Sequence, residues 1–365
     1  MEITAEITGI EYKIKLSSDL QSVDYKDFNI NRAPASCLVK DNKKVFAISK
    51  WISPKRSRSY PYEKVYNTLS VSKKITVIPI IKDEGYEGDR DFIQWDTISL
   101  MSLLDVYVIL AYYNDAIKHK TKKDKVTKQQ FDNNFILSKI KEIGSYHSSA
   151  LHWNLKEVGK ISQIIKLVQR SYLNLGASLS VRFHNAQGME DFKNQFSIDV
   201  NTFMELSRAK AKEAQARESK TSQPKEFLKT KTKATITIKN YLGGLYFLTT
   251  DEILIKEKTV HLIECKHTKK SLIPSKSDIK DGLLKMILYS NLEEVTVDGK
   301  AYKAKPVLNI TSSKLSGELN SSEAPNKIND FFIKNKFNTL QRNFVTELFL
   351  EAKTNNFNII LQNGA

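Results

Sequence analysis

The segment TVHLIECK at 259–266 ends in a carboxylate and a lysine two residues apart. Side chains alternate along a strand, so Val260, Leu262, Glu264 and Lys266 share one face and His261, Ile263 and Cys265 the other. Both faces are apolar in the middle, the mark of a central strand, where an acid and a lysine are costly to bury unless paired or bound to a metal. The preceding run, DEILIKEK at 251–258, predicts a hairpin centred on Glu257 and Lys258. In that register Asp251 faces Glu264, with Cβ atoms roughly 4.5–5.5 Å apart. Two facing carboxylates repel each other and demand a cation. Oxygen-only ligation predicts Mg2+, as one or two ions, held by Asp251, Glu264 and the Cys265 backbone carbonyl and completed by water and phosphate. Lys266, about 6–7 Å further along the same face, would orient or deprotonate an attacking water and offset charge growing on phosphorus. A slip of one residue would bring Glu252 or Thr250 opposite Glu264, but Asp251 is the better choice because it shares a face with Ile253 and Ile255. The competing reading is a structural ion cluster without chemistry.

An aspartate, a strand connection and then Glu-x-Lys resembles the PD-(D/E)XK nuclease superfamily, and IECKHTKK followed by DGLLKMILYSNL is similar to type II restriction endonucleases. The resemblance covers residues 230–312, and Thr250 stands where that motif has proline. Glu-x-Lys alone carries no weight in so lysine-rich a chain, since Glu351-Ala352-Lys353 repeats it in a helical context. The resemblance implies an α/β fold with a restriction-endonuclease-like core, a mixed β-sheet flanked by helices. It also implies a metal-dependent endonuclease that hydrolyses phosphodiester bonds in double-stranded DNA, leaving a 5′-phosphate and a 3′-hydroxyl. A restriction role would carry a cognate DNA methyltransferase with it, and a homodimer would match a palindromic site. The alternatives are a repair, mobile-element or phage-defence nuclease that selects DNA structure or modification, and a non-catalytic nucleic-acid-binding protein that retains the fold. Asp281 and Lys285 on the following helix have the spacing of a surface ion pair, while the resemblance makes Lys285 a candidate phosphate contact.

Composition agrees with a polyanionic partner. Lys and Arg number 57 against 41 acidic residues, a net charge of +16, and nucleic acid is the leading candidate, with a merely basic surface as the alternative. The only two cysteines, Cys37 and Cys265, form neither a disulfide framework nor a zinc spacing, and a reducing cytoplasm fits. The longest apolar run, VYVILAYY at 106–113, is too short to cross a bilayer, so no membrane association is expected. No Walker loop, G-x-G-x-x-G, G-x-S-x-G or H-E-x-x-H is present, which argues against a nucleotide cofactor or motor.

The elements that must position these residues follow from periodicity. Residues 1–117 alternate β-rich runs with turns and predict an additional N-terminal α/β or α+β domain that recognises or grips DNA, with a crossover helix over 91–104. The lysine-rich stretch 118–128 predicts a solvated linker, and 118–225 a basic linker and helical region. The nuclease-like core falls at 226–320: strands, then a helix whose Ile279, Leu283, Met286 and Ile287 share a face, then a strand over 305–310. Residues 321–365 predict helices packed on that core. Lys269, Lys270 and Lys276, just past the Glu-x-Lys strand, are candidate phosphate contacts. So are Lys55, Arg56 and Arg58 in a basic, tyrosine-rich segment, which reads equally as a loop anchored by buried tyrosines. The acidic loop at 82–91 satisfies no calcium spacing and predicts a solvated turn.

Overall fold

A computed structural model describes residues 1–16, 19–55, 61–197, 234–240 and 245–364. The chain forms two compact units, Met1–Ser18 with Lys210–Ala365, and Asp19–Ala209. Both are mixed α/β, with mixed sheets flanked by helices. Among the described residues no helix is long and apolar enough to cross a membrane.

The Asp19–Ala209 unit is built on a five-stranded sheet in the order Ser22–Asp24, Ser36–Asp41, Lys44–Lys50, Lys73–Pro79, Tyr107–Ala111. The last three strands run parallel, and the helix Trp95–Leu103 crosses between the final two, as the periodicity of 91–104 predicts. These strands read as unbroken apolar runs because both faces are covered, and Phe46, Ile48, Ile75, Val77 and Ile109 meet Trp153 and Ile140 in one core. No boundary falls at 118: the lysine-rich segment is the turn of a hairpin, Tyr113–Lys118 against Val126–Phe131, pinned by the buried Ala116, Val126 and Phe131. Lysines suit the segment because nearly all of it outside Val126 meets solvent. The helices Asn133–Gly144, Ala150–Val158, Ile161–Leu179 and Gln187–Ser197 follow. The charged run at 204–220 and the break at 221–233 lie outside the described residues.

The first strand, Glu2–Ile7, does not belong with the elements that follow it. It pairs parallel to Ala234–Asn240 and antiparallel to Glu293–Val297, inside a second sheet of the other unit. Residues 12–16 are tied to the same unit by Glu351, which is fully buried and accepts hydrogen bonds from Tyr12 Oη at 2.9 Å and from the Lys15 and Leu16 amides at 2.8 Å. The repeated Glu-x-Lys at 351–353 is thus a structural anchor in the helix Thr339–Thr354.

The principal sheet of this unit runs Glu252–Lys256, Thr259–Thr268, Lys303–Ser312, Asn358–Asn363, Glu318–Asn320. Its first pair is an antiparallel hairpin, the middle strands are parallel, and the last pair is antiparallel. The helix Lys276–Ser290 returns the chain from Thr268 towards Lys303, and its Ile279, Leu283, Met286 and Ile287 are all buried. Ser275 caps it by accepting from the Asp278 amide. The C-terminal reading of helices alone is incomplete. Pro325–Lys334 and Thr339–Thr354 are followed by the strand Asn358–Asn363, inserted between Lys303–Ser312 and Glu318–Asn320.

Glu351→Ala leaves three buried or part-buried donors without their acceptor, and urea unfolding should show a loss of about 2–4 kcal/mol. An unchanged midpoint would contradict the anchoring role.

Candidate active site

The hairpin adopts the register the sequence predicts. Glu252 faces Ile263, Ile253 faces Leu262 and Ile255 faces Val260, with Glu257 and Lys258 in the turn. Glu257 takes φ +51° there, a left-handed conformation that closes the two-residue loop. The ladder ends at Glu252, and Asp251 sits in a bend one residue beyond it. Its Oδ2 accepts the Cys265 backbone N–H at 2.7 Å, which places the carboxylate beside the Glu264-Cys265-Lys266 stretch. Glu252 starts the ladder proper and is buried.

Thr259–Thr268 is a central strand, flanked by Glu252–Lys256 and Lys303–Ser312, and Glu264 is 2% exposed within it. Lys285 Nζ lies 2.8 Å from its Oε2 and Lys266 Nζ lies 3.1 Å from its Oε1. Lys266 Nζ also meets Asp281 Oδ2 at 3.0 Å. Asp281 and Lys285 are therefore not a surface ion pair with each other. One turn of helix apart, both point towards the sheet, each bound to a residue of the Glu-x-Lys strand. The approach is close because residue 282 is glycine: a Cβ there would stand 2.9 Å from Leu308 Cδ1 and 3.0 Å from Lys266 Cε.

Charge sets the protonation states. Burial alone would raise the Glu264 pKa, but the ammonium groups of Lys285 and Lys266 hold it below the ordinary glutamate value. Burial alone would lower both lysines, yet Glu264 raises Lys266 with help from Asp281, and raises Lys285 well above the usual range. Asp251 differs. Burial, reinforced by the charge of Glu264, pushes it up to about 7, against the weaker pull of Lys285, the Cys265 amide and Lys266. Among the described residues no ammonium or guanidinium group lies within ion-pair distance of Asp251.

Glu264, Asp281, Lys266 and Lys285 thus balance one another, leaving Asp251 as the carboxylate without a counter-charge. No set of three or more His, Cys, Asp or Glu side chains among the described residues is arranged as a metal group. Even so, the donors present suit a hard divalent ion that keeps much of its water, since such ions take only one or two protein carboxylates. Asp251 supplies a carboxyl beside Glu264 that a bound cation would hold in its charged form, and the Cys265 carbonyl belongs to the peptide stretch that Asp251 touches. Asn309 pairs with Cys265 across the parallel ladder and accepts from Gln362 at 2.9 Å, bracing the end of the strand from the far side.

The remaining candidates divide. Lys269 and Lys270 are exposed in the turn after the strand, and Lys276 is exposed at the helix start with its ammonium 5.3 Å from the Phe344 ring centroid. Lys55 lies in the Asp19–Ala209 unit, where its ammonium meets the buried Asp91 at 2.7 Å. Arg56 and Arg58 lie outside the described residues. Tyr62 and Tyr66 are buried, as the anchored-loop reading has it. The acidic loop is no solvated turn: Ile81–Asp83 and Arg90–Phe92 pair as strands, and Asp83 and Asp91 are buried, Asp91 against Lys55 and Ser53. Comparison with protein-family models, with curated proteins and with solved structures finds no match.

An unfolded aspartate titrates near ~3.9, whereas Asp251 in the fold keeps its proton up to about 7. Between those values the native state binds more protons, so this group makes stability fall as pH rises and level off above the upper value. Glu264, shifted the other way, contributes stability that is lost only as pH falls below ~4.3. Asp251→Asn should flatten the decline and exceed the parent stability at about pH 8 by on the order of 4 kcal/mol. Saturating Mg2+ should flatten the same slope in the parent. Urea unfolding across that range checks both, and identical slopes in all three samples would contradict them.

Proposed function

We propose that this chain is a magnesium-dependent endodeoxyribonuclease of the restriction type, with a restriction-endonuclease-like core formed by the Glu252–Lys256 and Thr259–Thr268 hairpin, the Lys276–Ser290 helix and the Lys303–Ser312 strand. One observation carries the reading: the hairpin brings Asp251 beside the buried Glu264, and Asp251 has no lysine or arginine within ion-pair distance among the described residues. Asp251, Glu264 and the Cys265 carbonyl would hold Mg2+. When bound, the ion would supply charge to offset the scissile phosphate and make water acidic enough to attack it.

The residues of the chain divide the remaining work. Lys266 is held between Glu264 and Asp281 and is a firmly protonated ammonium. It is therefore suited to donate hydrogen bonds to an attacking water and to the oxygens of the phosphorane, and unsuited to take a proton from either. Lys285, protonated more firmly still, neutralises Glu264 and would turn to a phosphate oxygen if Glu264 engaged a cation. Lys269, Lys270 and Lys276 are exposed close beyond the strand, where ammonium groups can follow a phosphate backbone. Double-stranded DNA is the substrate that a chain of net charge +16 fits. A restriction role brings a methyltransferase partner, and a homodimer would suit cutting both strands of a palindrome.

A second reading, a nucleic-acid-binding protein whose ion cluster is structural, is favoured by one observation: each Glu264 oxygen already has a lysine. Cleavage decides between them. The full chain with Mg2+ should cut plasmid DNA to products with 5′-phosphate and 3′-hydroxyl ends, and chelator should stop it. Glu264→Gln should lower the rate by on the order of 10³-fold or more while retaining DNA binding. Intact plasmid, from unmodified and modified DNA alike, together with normal binding and a Glu264→Gln variant that merely loses stability, would establish the structural cluster instead.

A further inference from the structure

The Asp19–Ala209 unit contains a half-open pocket of about 560 Å³, inside the size range of small-molecule sites at ~300–1,000 Å³. Tyr172, Leu173 and Ala177 of the helix Ile161–Leu179, Phe183 and His184 of the following loop, and Met189 of the helix Gln187–Ser197 line it. The lining is mostly aromatic and aliphatic, with Gln169, the Tyr172 hydroxyl and the His184 imidazole as its polar groups.

His184 is held by a built arrangement. Its Nδ1 lies 2.8 Å from Oδ1 of Asp83, whose side chain is fully buried. Asp83 is itself fixed: Oδ1 accepts the Gly85 amide at 2.9 Å, its own amide donates to Tyr172 Oη at 2.9 Å, and its carbonyl accepts from Gln129. A carboxylate on Nδ1 sets the ring orientation and leaves Nε2 as the nitrogen open to a ligand. Beside the imidazole, at 6.2 Å between ring centroids, stands Tyr86, which is 56% exposed. The Arg182 guanidinium lies 3.8 Å above the Tyr86 ring, and Arg182 is mostly exposed, with Asp124 3.7 Å from its Nε.

An oriented imidazole, a largely apolar pocket of small-molecule size, and an exposed tyrosine stacked with arginine are three parts of one recognition chemistry. Bases taken out of a stack are read by a hydrogen bond to their edge between aromatic and apolar side chains, while aromatic and arginine faces hold the neighbouring single strand. We infer that this pocket receives a single nucleobase turned out of a DNA duplex, with His184 Nε2 bonded to the base edge and Tyr86 and Arg182 gripping the flanking strand. The inference rests on the proposal that the chain acts on DNA. It adds that the chain selects duplexes in which a base is easily extruded, so the Asp19–Ala209 unit reads a local defect or an altered base.

The test uses the full chain in chelator, so that nothing is cut, and fluorescence anisotropy on three duplexes of one sequence: fully paired, carrying one mismatch, and carrying abasic sites on both strands at that pair, so that no base is left there to turn out. The mismatched duplex should bind about tenfold more tightly than the paired one, the abasic duplex should lose that gain, and Ala177→Trp should remove the preference. Ala177 is exposed on its helix, so the indole can fill the pocket without displacing core. His184→Asn, which keeps a partner for Asp83, should weaken mismatch binding in the same direction. Equal affinity for all three duplexes, or an Ala177→Trp variant that keeps the preference, would overturn the inference. Plasmid cleavage with no such preference would overturn this inference alone, whereas failure to bind any duplex would overturn the DNA reading with it.

Discussion

A carboxylate buried in the middle of a sheet costs several kcal/mol unless charge comes to meet it, and the unit around Glu264 is organised by that requirement. Glu264 is 2% exposed, and the sequence answers it from two directions: Lys266 from two residues along its own strand and Lys285 from the helix packed above. Lys266 in turn needs Asp281, and the helix can deliver both Asp281 and Lys285 only because Gly282 lets it lie close to the strand. The ion network thus ties the helix Lys276–Ser290 to the strand Thr259–Thr268, on which it packs together with Lys303–Ser312. What the network does not absorb is Asp251, which has no lysine partner among the described residues and which burial and Glu264 push up to about 7.

Much of this was legible beforehand because a two-residue turn leaves few choices. Once Glu257 and Lys258 are the turn, the period-two alternation of side chains dictates that Ile253 meets Leu262 and that Asp251 lies at the level of Glu264. The helix was legible for the same reason, since Ile279, Leu283, Met286 and Ile287 share one side. Its polar residues were not. A spacing of four is shared by a surface ion pair and by two groups both turned inward, and only a neighbouring strand with an unpaid acid distinguishes them.

Long-range pairing accounts for the other differences. Glu2–Ile7 looks like the start of an N-terminal domain, and nothing local reveals that its partners are Ala234–Asn240 and Glu293–Val297. The run after Phe357 is short and apolar, and its insertion as a strand depends on Lys303–Ser312 having an open edge. The acidic loop misleads through composition alone: five acids in ten residues suggest water, yet Asp83 is held by His184 and Asp91 by Lys55, both beyond the loop. In both units, then, the residues that charge counting assigns to solvent are the ones that bind elements together.

The proposal's central claim is that Asp251 and Glu264 together would hold a divalent cation. Calorimetric titration of Mg2+, with Mn2+ as a paramagnetic substitute, into the full chain free of DNA tests this most directly. The account predicts saturable binding that Asp251→Asn and Glu264→Gln each abolish and that a surface change such as Lys270→Ala leaves intact. Absence of saturable binding in the parent, or binding that survives both substitutions, would contradict it and leave the lysines as the whole answer to Glu264.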